Sequence, residues 1–178
     1  MGTLVVYDTE FGSTRKVAER IAQTLNGKAL NVSQVNNDML KNINFLIIGS
    51  PTHGGRPTPQ IDNFITNLPK KVFKEVKFAS FDTRFELKDL GFLLKLLVKT
   101  IGYASEKISN KLAGYRAEVV GKPQGFYVER NEKSLKKGEL DKVILWSKKI
   151  ALLIRELLEL FLKFFKLFVK IFKFNGGG

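Results

Sequence analysis

Thr3-Leu4-Val5-Val6-Tyr7-Asp8-Thr9-Glu10-Phe11-Gly12-Ser13-Thr14-Arg15-Lys16 is the stretch whose reading decides the fold. Its opening residues are mostly β-branched or apolar, as a buried strand requires, and the spacing predicts a strand over Thr3–Tyr7. Gly12 permits a tight turn, and the apolar positions that follow fall at helical spacing, predicting a helix over Ser13–Leu25. The same alternation of a short apolar run with a longer 3.6-period stretch recurs outward along the first 150 residues. Further strands are expected at Ala29–Val32, Asn44–Ser50, Lys77–Phe81 and within Glu118–Val128, where Lys122-Pro123 is placed to bend or interrupt the last one. Helices are expected around Asp38–Lys41, over Thr58–Leu68 and Tyr103–Leu112, and from Gly138-Glu139 onward. The fold class is therefore α/β, a doubly wound five-stranded parallel sheet, in which ligands bind beyond the carboxyl ends of the strands.

The loops at those ends are unusual. In the first, Thr9, Ser13 and Thr14 crowd a helix start whose N–H groups have no intrahelical partner, a setting that suits a phosphate; an ordinary N-cap is the other reading. Neither G-K-[ST] nor G-x-G-x-x-G is present, which argues against ATP and NAD. After the third strand comes Gly49-Ser50-Pro51-Thr52-His53-Gly54-Gly55-Arg56-Pro57-Thr58-Pro59. Two adjacent glycines let backbone come close to a ligand while the prolines stiffen the rims; a rigid turn ahead of a helix is the alternative.

Composition narrows the chemistry. The 178 residues are 44% hydrophobic and 26% charged, which suits one globular domain and leaves little room for a second. With no Cys and one His there is no disulfide framework, thiolate metal centre, cysteine-ligated cluster or Cys nucleophile, so redox chemistry needs an organic cofactor. The formal charge of +13 points to polyanionic partners. Nucleic acid is the least favoured of these, because the lysines lie on greasy helices without aromatics set to stack bases. The amino terminus lacks a signal-peptide pattern, so a cytoplasmic location is expected.

Tyr7-Asp8-Thr9-Glu10-Phe11-Gly12-Ser13-Thr14, Gly49-Ser50-Pro51-Thr52-His53-Gly54-Gly55 and Phe81-Asp82-Thr83-Arg84-Phe85 resemble, in order and spacing, the cofactor loops of the flavodoxin family. The first two also resemble the flavodoxin-like domains of flavodiiron proteins. The resemblance spans about Leu4 to Ile150 and implies an FMN cofactor. By it, Thr9, Gly12, Ser13 and Thr14 hold the phosphate, Pro51, Thr52, His53, Gly54 and Gly55 line the isoalloxazine and its N5 edge, and Asp82, Thr83, Arg84 and Phe85 close the other side. Three departures stand out. Phe11 replaces a phosphate-binding hydroxyl and is expected to pack on the ring or a neighbouring loop, Glu10 is expected to point outward, and the net charge is basic where free-standing flavodoxins are acidic.

Two segments exceed that core. Glu86–Gly102 is greasy and carries Lys88, Lys95 and Lys99 at helical spacing. It reads as a buried core helix or as a lid, an apolar-substrate entrance or a membrane contact beside the flavin. From Leu152 to Phe174 an apolar helix bears one charged stripe, which suits lying on an anionic membrane or forming a seam with another protomer. Gly176-Gly177-Gly178 reads as a frayed end. The expected organisation is a domain over 1–151, a helical tail over 152–174 and a loose end at 175–178. The resemblance implies an electron carrier, which the basic amphipathic tail is expected to set against the inner face of the membrane, or a flavin-dependent oxidoreductase of an apolar substrate similar to flavodoxin-type protoporphyrinogen oxidases and quinone reductases. Its redox partner is not legible.

Overall fold

The computed structural model describes residues 2–174, and the side chains of all of these except 93, 94, 97, 99 and 168–174. Strands β1 (Thr3–Tyr7), β2 (Lys28–Asn31), β3 (Phe45–Pro51), β4 (Lys77–Phe85), β5 (Glu118–Val119) and β6 (Gln124–Val128) form one parallel sheet. Its order is β2-β1-β3-β4-β5, with β6 also on β4. Helices α1 (Ser13–Thr24) and α6 (Glu139–Phe174) cover one face; α2 (Pro59–Thr66), α3 (Lys70–Glu75) and α5 (Ala104–Gly114) cover the other. The doubly wound sheet is as expected, and its order reverses between β1 and β3, which opens a crevice at their carboxyl ends.

Burial on both faces explains the apolar strand runs: Val5 and Ile47 enter the α1/α6 core while Leu4, Val6, Leu46 and Ile48 enter the other. Gly49 is required by packing, because a Cβ there would lie 2.0 Å from the Phe81 ring.

The sequence expectations need five corrections. The fifth strand is two short ones: β5 pairs with the start of β4 and β6 with its end, and the chain leaves the sheet over 120–123, around Pro123, which has no N–H to give a ladder. Strand β4 runs four residues past Phe81, because Asp82 and Thr83 find partners on both sides, in β3 and in β6, and Arg84 and Phe85 continue on β6 alone. The segment around Asp38–Lys41 is only a 3₁₀ turn over Asn37–Leu40. Helix α3 was not anticipated; Pro69 ends the preceding helical pattern and caps a new start, and Val72 and Phe73 bury beneath it. Lys88 does not share a helix with Lys95: it sits in a 3₁₀ turn over Leu87–Asp89, and α4 (Phe92–Ile101) begins only after Gly91. The Lys99 side chain and residues 175–178 lie outside the described residues.

Helix α6 is one uninterrupted rod of 36 residues. It packs on the core as far as Ile154, which is buried, three residues past the boundary drawn at 151. The described side chains beyond Ile154 are exposed. Among the described residues no helix is long and apolar enough to cross a membrane.

Candidate functional site

At the crevice, α1 starts without a side-chain cap. Gly12 precedes it at φ 85°, the backbone where glycine is favoured, and the first helical bond runs from Lys16 N to the Gly12 carbonyl. The N–H groups of Ser13, Thr14 and Arg15 therefore have no helical acceptor, and the dipole makes this end positive. The turn is shaped by its own hydroxyls: Thr9 Oγ1 accepts from Gly12 N at 3.0 Å, and Thr9 N donates to Asp8 Oδ1 at 2.9 Å. Thr14 Oγ1 lies 2.8 Å from Thr83 Oγ1, linking the turn to the end of β4.

The facing wall is the loop after β3. His53 and Arg56 exchange both backbone hydrogen bonds at 3.0 Å, with Gly54 at φ 55° and Gly55 at φ 79° between them. Both central residues at positive φ define a type I′ turn, which is why two glycines stand there. The loop is anchored by Thr52, whose N–H donates to the Thr83 carbonyl at 2.9 Å and whose Oγ1 accepts from Ala104 N at 3.1 Å.

A cavity of about 320 Å³ opens between these walls, lined by residues of both loops together with Thr83, Arg84, Phe85, Val128 and Lys133. An apolar recess of about 250 Å³ adjoins it under Leu90, Val98, Ile101 and Tyr103. Together they bring Thr9, Glu10, Phe11, Ser13, Thr14, Pro51, Thr52, His53, Gly54, Gly55, Thr83, Arg84 and Phe85 to one place.

Gly12, in the turn ahead of α1, lines neither, and Asp82 is turned away from both. Expected at the cavity wall, it is fully buried inside β4, where its carboxylate accepts two bonds from Arg84, at 2.5 and 2.6 Å, and one from Ser105 N at 2.9 Å. The reason is the extension of β4: in a strand successive side chains alternate, so Asp82 points behind the wall that Thr83 forms. Its guanidinium partner fits because Gly125, opposite Asp82 in register, has no Cβ; one would lie 2.1 Å from Arg84 Nε. Arg84 also stacks on the Tyr103 ring, 3.4 Å from its centroid, and burial raises the Tyr103 phenol above its usual range, opposed by that guanidinium.

Glu10 is exposed as expected, yet it reaches across the mouth to His53 Nε2 at 3.0 Å. Phe11, which lines the cavity, also meets the neighbouring loop: the Lys133 ammonium lies 3.5 Å over its ring. Lys133 is the residue that sequence reasoning missed. Its carbonyl accepts from Ser13 Oγ, and its own φ of 53° turns its side chain into the cavity from the loop after β6. A lone lysine in a run rich in lysine gives no local signal. That loop is tied down by Lys136, which reaches Glu86 at 3.0 Å and Asp89 at 2.5 Å, so its ammonium is held well above the usual lysine range, by Asp89 first.

The donors fit the cofactor that the loops imply. Uncapped N–H groups open beside the cavity that Lys133 lines, as a phosphate would require, and a Cβ at Gly12 would meet nothing within 4 Å, so backbone is open to close approach there. The volume lies in the range of small-molecule sites, about 300–1,000 Å³. Among the described residues no cluster of His, Asp and Glu could hold a metal ion.

Comparison with known proteins agrees with the geometry. A flavodoxin-domain family model matches residues 4–83, and no curated protein matches. Among solved structures, a flavodoxin from the domain Archaea is 17% identical, covering 85% of this chain and 96% of that one, with a TM-score of 0.66. A WrbA-like flavodoxin from Agrobacterium tumefaciens is 20% identical over 87% of this chain and 98% of that one, at 0.64. The rubredoxin oxygen:oxidoreductase from Desulfovibrio gigas is 16% identical over 84% of this chain but only 35% of that one, at 0.63. The family model matches the part of the chain that holds the first two loops, and the solved structures share the fold over most of its length, so the chain has a flavodoxin-like fold and is similar to that family.

Proposed function

We propose that this chain binds FMN and carries electrons, as the cofactor of the flavodoxin-like family would allow. The observation that supports it most is the uncapped start of α1 opening into the 320 Å³ cavity between the two glycine turns. Bound there, the flavin would supply the electron chemistry. The residues divide the rest of the work. The N–H groups of α1, the Thr9 hydroxyl and the Lys133 ammonium hold the phosphate, while the Ser13 and Thr14 hydroxyls, bonded to the Lys133 carbonyl and to Thr83, brace the turn around it. Pro51–Gly55 present backbone to one side of the ring site, and Thr83, Arg84 and Phe85 wall the other. Asp82 acts from behind, positioning Arg84. Helix α4 roofs the recess with Val98 and Ile101 and keeps water from it.

The test is titration of the purified protein, freed of flavin, with FMN and with riboflavin, followed by flavin fluorescence. FMN should bind at one per chain and more tightly than riboflavin, and the loaded protein should pass electrons from a chemical reductant to a one-electron acceptor. Binding neither ligand would end the reading. Equal affinity for both would remove the phosphate site from it.

One observation favours a second reading. The recess under Leu90, Val98, Ile101 and Tyr103 is largely apolar and adjoins the ring end of the cavity. It suits an apolar substrate, which would make the protein a flavin-dependent oxidoreductase. Steady turnover of a lipophilic quinone by the loaded protein would favour that reading over simple carriage.

A further inference from the structure

A second hollow lies at the β5/β6 edge of the sheet, where the chain leaves the ladder over 120–123. Gly121, at φ 73°, brings the backbone of this break against α6, so that a Cβ there would lie 3.5 Å from Ile150 Cγ1. Between the break and the helix opens a groove of about 640 Å³, twice the volume of the cavity at the crevice. Its α6 wall is a stripe at steps of three and four: Lys142, Leu145, Trp146, Lys149, Ile150 and Leu153. Lys122 and Gln124 stand on the other side. From Lys142 to Leu153, at ~1.5 Å per residue, the groove is ~16 Å long.

The floor is apolar and the rim is cationic. Trp146 and Ile150 are buried, three lysines surround them, and no Asp or Glu lines the groove. Lys142 is held by the buried Glu139 carboxylate at 2.6 Å. Among the described residues Lys122 and Lys149 form no ion pair, so two ammonium groups stand over apolar surface with no carboxylate of their own. An occupant that brings both carboxylates and apolar side chains satisfies rim and floor together.

Shape narrows the occupant further. Leu145 is 67% exposed, so the groove is open along one side. Small-molecule sites enclose about 70–90% of their ligand, and an apolar acid lying here would stay half bare. Trp146 is too buried to stack a base, which disfavours single-stranded nucleic acid. A flat lipid surface reaches the lysines and not the floor. A helix of another protein, by contrast, lays one apolar stripe into a groove and keeps its far side in water, and ~16 Å takes about eleven of its residues.

We infer that this groove docks an acidic amphipathic helix of a partner protein, with its apolar residues on the floor and its carboxylates on Lys122 and Lys149. The inference does not depend on the cofactor.

The test uses the full chain, whose single tryptophan lies in the groove and reports its occupancy. The probe is an end-capped peptide of about 15 residues made of Leu, Ala and Glu, with the leucines on one helical side. It should change Trp146 emission saturably, and added salt should weaken it. Lys122→Glu together with Lys149→Glu should weaken it about tenfold. Lys70→Glu together with Lys74→Glu, an equal charge change on α3 across the sheet, should alter it by less than about twofold. Leu145→Ser should weaken it several-fold with its salt dependence unchanged. All these positions are exposed, so the urea midpoint should stay that of the wild type in each variant. No saturable change with the wild type overturns the inference. So does an equal loss in the α3 pair, which means attraction to a basic chain at large, and so does equal binding of the same peptide with Lys in place of Glu. Trp146 emission that changes with chain concentration alone gives the groove to a second copy. Emission that responds to phosphatidylglycerol vesicles and not to the peptide gives it to lipid, and either result overturns the assignment.

Discussion

Gly12 and Gly55 stand in the turns on the two sides of the crevice at nearly the same φ, 85° and 79°, and they are there for different reasons. Around Gly12 there is open space: a Cβ would touch nothing, and only the backbone conformation asks for glycine. Gly55 is buried, and a Cβ there would lie 2.5 Å from Ile101 Cγ2 and 2.8 Å from the Gly102 carbonyl. The end proposed for the phosphate is open, which leaves backbone N–H groups accessible to a ligand. The end proposed for the ring is closed by packing against α4, with Arg84, Asp82 and Tyr103 fixed beneath it. A left-handed glycine therefore marks a turn in both places, but only its neighbours say whether the turn is a docking surface or a buried joint.

The largest effect expected at either end is at Asp82. Asp82→Ala strands the Arg84 guanidinium, whose side chain is 12% exposed, and removing one partner of such a pair costs about 3–5 kcal/mol. Urea unfolding should show the loss, and Arg84→Met in the same chain should recover part of it; a small loss in the single variant would mean that the ring end is not held by this pair. Gly55→Ala comes next, at about 2–4 kcal/mol, since left-handed backbone strain adds to overpacking. Hydrogen exchange should place the disturbance in α4.

At the phosphate end the effects are smaller and fall on binding. Lys133→Met should weaken FMN about tenfold, equivalent to ~1.4 kcal/mol, leave riboflavin unchanged and reduce the dependence of FMN affinity on salt. An equal loss for both ligands would assign Lys133 to packing on Phe11 alone. Gly12→Ala should cost about 1 kcal/mol of stability, the conformational strain without a clash. If it costs as much as Gly55→Ala, the contrast between the two turns is wrong.

The mildest test is one of pH. Lys88 first, and then Lys136, hold the Glu86 carboxyl below the usual glutamate range. A depressed carboxyl contributes stability that is present above its unfolded value and lost as pH falls through the folded one. The difference in thermal midpoint between the wild type and Glu86→Gln should therefore be present at neutral pH and close on acidification below that range.

Much of the fold was legible along the chain. Apolar strand runs, helical spacing and turn glycines located β1, β3, α1 and α2 nearly to the residue, because each is dictated by neighbours in sequence. Asp82 was assigned to the wrong surface for the opposite reason. Whether β4 stops at Phe81 or continues to Phe85 depends on partners on both sides, and β6 is some 40 residues further along. Gly125 makes room for Arg84, yet nothing near it in sequence hints at that demand.

The sequence by itself determined the α/β alternation, the glycine turns, the hydroxyl-rich helix start and the amphipathic stripe of the tail, since all of these are periodicities or local backbone demands. Tertiary structure alone decided which side of β4 faces the cavity, that Lys133 lines it, and that Glu10 meets His53. It also decided that the tail's apolar side lies on the same line as the core contact of α6. Each of these joins residues far apart in the chain, or depends on how one helix is turned against the sheet. Such relations are fixed by packing and not by any short run of residues.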